Sequence, residues 1–267
     1  MKYLFLLLVL SISFVGKSIK PDPNYIQTPT DLGLDFESYQ IPTSDGAVLN
    51  AWKINAVKEQ KKFVTLIVAY GDAGNMSCQL NQAAILSQLG FDILLFDYRG
   101  FGKSSLFEIN QDQLYYAEFI TDLISVVQFC KLKFRENKTG IWAQSMGTIM
   151  ATQAVQKEKV DFLVLEGFVL SPTLIKQRIK EFKAKELSLP EEDNSFHLDQ
   201  IQIPVLIFSG KADIFTTLSD AKLFCKAAPK RKIVEFKGNH LEGFSVLSGR
   251  YFGEIYCRKI IRFVKKV

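Results

Sequence analysis

The sequence predicts an α/β fold: a mostly parallel central sheet with helices on both faces and a small cap. Three observations predict it. Apolar runs rich in β-branched and aromatic residues recur along the chain without polar alternation, as strands covered on both faces require. Segments with apolar residues three and four apart, the helical period, separate those runs. The loops that follow the runs hold glycines and chemistry-bearing polar residues, where ligands bind in such sheets.

The first element is "MKYLFLLLVLSISFVGKSIK". One lysine precedes an apolar run from Tyr3 to Val15, and small residues follow at Gly16 and Ser18. This is the pattern of a cleaved signal peptide over residues 1–18, and it predicts export, with a mature chain starting after residue 16 or 18. The run falls short of the roughly 20 apolar residues of a membrane span. An uncleaved anchor and a core element are the other readings. The proline-rich, polar stretch "PDPNYIQTPT" then marks residues 19–34 as a linker.

From residue 35 to 267 the pattern is that of one domain. "DFESYQIP" and "AVLNAWKIN" alternate around Ser44-Asp45-Gly46 and predict an antiparallel hairpin at one sheet edge. "FVTLIVAY" is the next strand. A helical segment over residues 76–90 leads to "FDILLFDY". Residues 114–134 predict a long amphipathic helix, "TGIWAQ" a strand, and residues 146–156 a helix. Strands "DFLVLEGF" and "IPVLIFSG", helix "LSDAKLFCKAA", strand "KIVEFKG" and a closing helix complete the alternation. Interleaving of this kind builds a parallel sheet through right-handed crossovers.

Composition narrows the function. The chain has 33 basic and 28 acidic residues. Without residues 1–20, which hold Lys2, Lys17 and Lys20, the balance is 30 basic against 28 acidic residues, without the clustered basic face that nucleic acid calls for. Cys78, Cys130, Cys225 and Cys257 form no CxxC pair, and only two histidines exist, so neither a zinc site nor any cofactor is implied. Each cysteine lies in a helix-like segment, which leaves buried free thiols and disulfides both open. Asn75-Met76-Ser77 and Asn137-Lys138-Thr139 match the N-glycosylation acceptor.

The chemistry gathers at strand ends. In "IWAQSMGT", Ser145 follows a strand with small residues two positions away on either side, Ala143 and Gly147. A nucleophile held on a sharp strand-to-helix bend needs such neighbours; a serine capping the next helix is the alternative. A serine hydroxyl needs a base to take its proton. Of the two histidines, His197 lies in a polar stretch after a proline, and His240 in "FKGNHLEGF" directly follows a strand. Asp213 in "FSGKADIFTT" fits the acid that orients the imidazole, and Glu166 at the end of another strand is its rival. Asp97 and Arg99 in "DYRG" read as a loop-fixing ion pair.

Ser145, Asp213 and His240 occur in the chain order of the α/β-hydrolases. With "YGDAGN" after the third strand, "FDYRGFGKSS" after the fourth, "GKAD" after the seventh and "GNH" after the eighth, residues 35–267 resemble the small α/β-hydrolases of the serine aminopeptidase-like group. The resemblance implies an α/β-hydrolase fold and oxyanion-hole donors at the backbone amides of Asp72 and Met146. It also implies a cap over about residues 169–200. The basic helix there reads either as a solvated helix covering the sheet edge or as a lid whose apolar face, with Ile179 and Phe182, lines the substrate pocket. The chain departs from the family pattern at Tyr70, where histidine is usual, and at Ala143, where glycine is usual; Tyr70 is therefore expected to alter the pocket wall.

The expected function is a serine hydrolase that cleaves carboxylic esters of a small-molecule acyl substrate through an acyl-enzyme. A peptidase or acyltransferase would use the same residues, and a pseudohydrolase would bind ligand without turnover. Membrane association through an uncleaved N-terminus or the basic cap helix remains open.

Overall fold

The computed structural model describes residues 18–190 and 197–267. The apolar leader through residue 17 and residues 191–196 of the expected cap lie outside the described residues. Eight strands form one sheet: β1 (Phe36–Pro42), β2 (Val48–Ile54), β3 (Val64–Ala69), β4 (Asp92–Phe96), β5 (Lys138–Gln144), β6 (Phe162–Glu166), β7 (Val205–Gly210) and β8 (Arg231–Phe236). Their order is β8-β7-β6-β5-β3-β4-β2-β1. The hairpin β1–β2 is antiparallel, β2 pairs antiparallel with β4, and every pairing from β4 to β8 is parallel. The strands from β2 to β7 are almost wholly buried, as their unbroken apolar runs require, whereas β1 alternates because it closes the edge.

Helices α1 (Leu80–Gln88), α2 (Ala117–Lys133), α3 (Met146–Lys157), α4 (Pro172–Lys183), α5 (Leu218–Lys226), α6 (Gly243–Val246) and α7 (Glu254–Val264) fill the crossovers and the C-terminus. α2 and α3 pack side by side on one face, and α1 and α7 lie together on the other. The face toward α7 is aromatic. Phe208 stacks on Tyr256 at 3.8 Å between ring centres, and the Trp142 indole N–H donates to the Tyr256 hydroxyl at 3.0 Å.

Register brings the working ends of the strands level. Ala69 lies opposite Ala143, Gln144 opposite Glu166, Glu166 opposite Phe208, and Gly210 opposite Phe236. The loops carrying Asp72, Ser145, Asp213 and His240 therefore leave the sheet along one rim. None of the described helices is long and apolar enough to cross a membrane.

Three expectations need correction. Residues 19–34 are no linker: Ile19 is completely buried, and Lys20–Pro21 pairs in parallel with Ala73–Gly74. A polar, proline-rich segment lacks apolar periodicity, yet it docks here through backbone hydrogen bonds that composition does not reveal. Arg99 does not pair with Asp97. Its guanidinium reaches Asp45 at 2.7 Å and Asp122 at 2.7 Å, one from the β1–β2 turn and one from α2. Tyr70 is not in the pocket wall but wholly buried, packed edge-on against Phe101, with its hydroxyl 3.3 Å from the Asp97 carboxylate.

All four cysteines are free, with Cys130 and Cys257 buried. The asparagine side chains of both glycosylation motifs are engaged in the folded chain. Asn75 is buried and caps its own turn, and the Asn137 amide donates to Thr65 and Asp92.

Candidate active site

Ser145 occupies the bend between β5 and α3 with φ 51° and ψ −122°. A non-glycine residue there is strained by about 1–3 kcal/mol and persists only where its surroundings enforce it. They do so here. The Ser145 N–H donates to the Glu166 carbonyl at 2.9 Å, and its own carbonyl accepts from the Thr148 N–H at 2.8 Å and the Thr148 hydroxyl at 2.7 Å. Gly147 allows the close approach of α3 to β3, since a Cβ there would lie 1.9 Å from the Ala69 carbonyl oxygen. Ala143 is buried within the sheet and fits without glycine.

The strain exposes the Ser145 side chain rather than turning it into a cap. It makes no capping bond to α3, and its Oγ lies 2.8 Å from His240 Nε2. On the other side of the ring, His240 Nδ1 lies 2.8 Å from Asp213 Oδ2. Gly167, at φ 63° just past β6, leaves room for the imidazole, because a Cβ there would lie 2.6 Å from His240 Cε1. The three residues expected from the sequence thus form one continuous hydrogen-bonded line. His197 is exposed at the start of a short 3₁₀ turn over Leu198–Gln200.

Asp213 sits three residues beyond β7 and is buried. Its Oδ1 accepts from the backbone N–H groups of Phe215 and Thr216, both at 2.9 Å, and its Oδ2 accepts from the Thr216 hydroxyl at 2.5 Å. Burial pushes the carboxyl up, but the His240 hydrogen bond and charge and the Thr216 donors outweigh it and hold it below the usual carboxylate range. Asp213 is not spent on capping α5, whose N-cap is Thr217 in a reciprocal box with Asp220. Glu166 takes a different part. It accepts from the Gly243 N–H at 2.6 Å, below the histidine loop, and burial raises its pKa.

Ser145 and His240 open into a cavity of about 220 Å³. Ile149, Val169, Ile175, Ile179, Phe215 and Leu241 give it apolar walls, and Asp72, Met146 and Lys183 also line it. Ile179 is placed as expected. Phe182 is not: it is 58% exposed and meets Phe215 edge-on outside the cavity. On the last turn of α4 Ile179 and Lys183 reach the cavity, whereas Phe182, between them, faces away from it.

Sequence reasoning missed Thr216, whose hydroxyl lies 3.1 Å from His240 Nδ1 as well as on Asp213. It also missed Lys183, whose ammonium stands 4.6 Å from the centre of the Phe215 ring. The spacing of Thr216 three residues after Asp213 was the available signal. The Asp72 carboxyl is raised by burial, against the opposing positive charges of His240 and Lys183. No group of His, Cys, Asp and Glu among the described residues is arranged to hold a metal ion.

Comparison with known proteins agrees with this architecture. A family model described as serine aminopeptidase, S33, matches residues 59–192, half of the chain. It spans Ser145 and stops short of Asp213 and His240. The uncharacterized protein YfhR of Escherichia coli O157:H7 is 26% identical over 235 residues, covering 85% of this chain and 80% of that protein. The lysophosphatidylserine lipase ABHD12 of Mus musculus is 24% identical over 269 residues, covering 85% of this chain and 65% of its own length. Among solved structures, the Pyrococcus furiosus esterase Pf2001 superposes with a TM-score of 0.73 at 20% identity, over 94% of this chain and 98% of that one.

Proposed function

The chain belongs to the serine aminopeptidase S33 family of α/β-hydrolases, and on that footing we propose that it is a hydrolase that cleaves carboxylic esters through an acyl-enzyme on Ser145. One observation carries the reading: His240 stands 2.8 Å from Ser145 Oγ on one ring nitrogen and 2.8 Å from Asp213 on the other.

His240 Nε2 takes the hydroxyl proton as Ser145 Oγ bonds to the acyl carbon. The carbonyl oxygen becomes an oxyanion facing the Asp72 and Met146 amides. Met146 opens α3, so its N–H carries the positive end of the helix dipole. Asp213 holds the Nδ1–H tautomer and stabilises the imidazolium. The proton then passes from Nε2 to the leaving alcohol oxygen as the C–O bond breaks. Water, deprotonated by the same nitrogen, releases the acid and restores the serine.

The small apolar cavity supports short acyl chains, since drug-sized ligands occupy roughly 300–1,000 Å³. The esterase and lipase names of the structural neighbour and the mouse relative point the same way. A second reading, removal of an amino-terminal residue from a peptide, is favoured by the Asp72 carboxyl in the cavity wall, which would pair with an α-ammonium. Burial works against the charged form of that carboxyl, so the ester reading is preferred.

A panel of p-nitrophenyl esters of increasing chain length, run beside aminoacyl p-nitroanilides, tests the choice. Wild-type protein should turn over the short esters fastest. Ser145→Ala should abolish that activity with its melting temperature nearly unchanged. Turnover of the anilides alone would replace the ester reading with the peptidase one, and undiminished Ser145→Ala activity would reject the serine.

A further inference from the structure

Residues 18–26 lie across the loop that leaves β3, the loop that carries Asp72. The Lys20 N–H donates to the Asp72 carbonyl at 2.7 Å, and the Asp22 N–H donates to the Gly74 carbonyl at 2.9 Å. Between them Lys20 pairs with Ala73, and Pro21 with Gly74. Ile19 anchors the segment in the core, and the Ser18 N–H donates to the Gln111 carbonyl at 2.9 Å. The buried Asn75 side chain reaches back, donating to the carbonyls of Asp22 at 2.9 Å and Asn24 at 2.7 Å.

The same loop is held from below by one carboxylate. Asp97 Oδ1 accepts from the Met76 N–H at 2.8 Å and the Tyr70 hydroxyl at 3.3 Å, so it grips the loop at both ends. Its other oxygen accepts from the Tyr25 hydroxyl at 2.6 Å. Tyr25 belongs to the N-terminal segment, and its oxygen also accepts from the Asn50 amide at 2.7 Å. Asp97 therefore ties the segment, the loop and the sheet edge into one polar unit. Buried polar groups this fully paired make a rigid arrangement.

We propose that residues 18–26 are a positioning strap that fixes the Asp72 amide for the oxyanion, so that the N-terminal segment, whose Ser18 also borders the cavity, governs the chemical step through the loop. The proposal rests on the reading of Ser145 as nucleophile and Asp72 N–H as oxyanion donor. Oxyanion stabilisation depends on donors being in place before charge develops. The Lys20 bond fixes the peptide plane between Asp72 and Ala73, which adjoins the Gly71–Asp72 plane that carries the donor N–H, and so restricts the backbone rotation at Asp72 that would turn the donor away. The loop itself is only a few residues long and carries Gly71 and Gly74, and among the described residues the strap supplies the backbone donors to its Asp72 and Gly74 carbonyls. Lys20, Tyr25, Asn75 and Asp97 act as positioning residues, through the loop.

Two variants test this in the full-length protein. Lys20→Pro removes the single N–H that donates to Asp72. Tyr25→Phe removes only the hydroxyl that joins Asp97 and Asn50 and so keeps the test alive should the proline disturb folding. Measured for each are kcat and KM on p-nitrophenyl butyrate, the inhibition constant of phenylboronic acid, and the melting temperature. Phenylboronic acid is the informative probe, because its tetrahedral serine adduct places an oxygen where the oxyanion forms. Removing one oxyanion donor outright costs about 10²–10³ in kcat, so a displaced donor should cost about 10- to 100-fold in Lys20→Pro, and less in Tyr25→Phe. KM should stay within about twofold, and boronate affinity should weaken by the same factor as kcat. Ile260→Val, in the core of α7, supplies a variant of lowered melting temperature away from the loop. Activity loss in the strap variants no greater than in Ile260→Val of matched stability would overturn the proposal. So would unchanged boronate affinity in a folded variant. Failure of the serine reading looks different: Ser145→Ala would then keep its activity whatever the strap does.

Discussion

The ends of β6 and β7 each present a carboxylate to the loop that carries His240, and the two are used in opposite ways. Asp213, three residues past β7, turns outward onto the imidazole, and its donors hold it ionised below the usual carboxylate range. Glu166, the last residue of β6, turns inward beneath the same loop and accepts from the Gly243 N–H, and burial raises its pKa. Adjacent strands in register thus deliver one acid to the reaction and one to the scaffold. Distance from the strand end decides which. A residue still within the strand has its side chain fixed by the pleat, whereas one beyond a short turn can be aimed.

Asp213→Asn should break this division most severely. It preserves shape but favours the wrong imidazole tautomer, with an expected loss in kcat of up to about 10⁴. Steady-state kinetics on one p-nitrophenyl ester measures it. Thr216→Val sharpens the same contrast. It deletes the hydroxyl that donates to Asp213 Oδ2 while leaving the two backbone donors, and should lower kcat about tenfold, the worth of one hydrogen bond to a charged group.

Glu166→Gln should have the smallest kinetic effect, under about tenfold, because its partners, the Gly243 amide and the Tyr256 hydroxyl, belong to the scaffold and not to the reacting groups. Its signature is thermal. A carboxyl raised on folding contributes stability below its unfolded pKa, about 4.3. That contribution is lost as pH rises through the folded value. Glutamine has no such dependence. The melting temperature of Glu166→Gln relative to wild type should therefore move upward between about pH 4 and pH 7. A difference flat with pH would mean that Glu166 is not the strained acid described.

The reach of the sequence follows from the kind of signal each feature leaves. Strands such as "FVTLIVAY" announce themselves because burial on both faces demands unbroken apolar runs. Ser145, Asp213 and His240 were legible because each closes such a run beside a small residue or a tight turn. The strap left no comparable trace: apart from the side chains of Ile19 and Tyr25, it is held mainly through its own backbone N–H and carbonyl groups, which leave no pattern in the sequence. Tyr70 and Phe182 were misread for a shared reason. Their place in the chain was right, but side-chain direction was set by partners far away in sequence, Asp97 and Phe101 for one and Phe215 for the other. Arg99 likewise found Asp45 and Asp122 rather than its near neighbour, because the fold brings a turn and a helix to it.

The central claim is that Ser145 is activated by His240 under the control of Asp213 and not of Glu166. The most direct measurement is the rate at which a fluorophosphonate probe labels wild type, Asp213→Asn and Glu166→Gln, with the modified peptide identified by mass spectrometry. The account predicts an adduct on Ser145, formed at nearly equal rates in wild type and Glu166→Gln and far more slowly in Asp213→Asn. An adduct on another residue, or slow labelling in Glu166→Gln with fast labelling in Asp213→Asn, would contradict it.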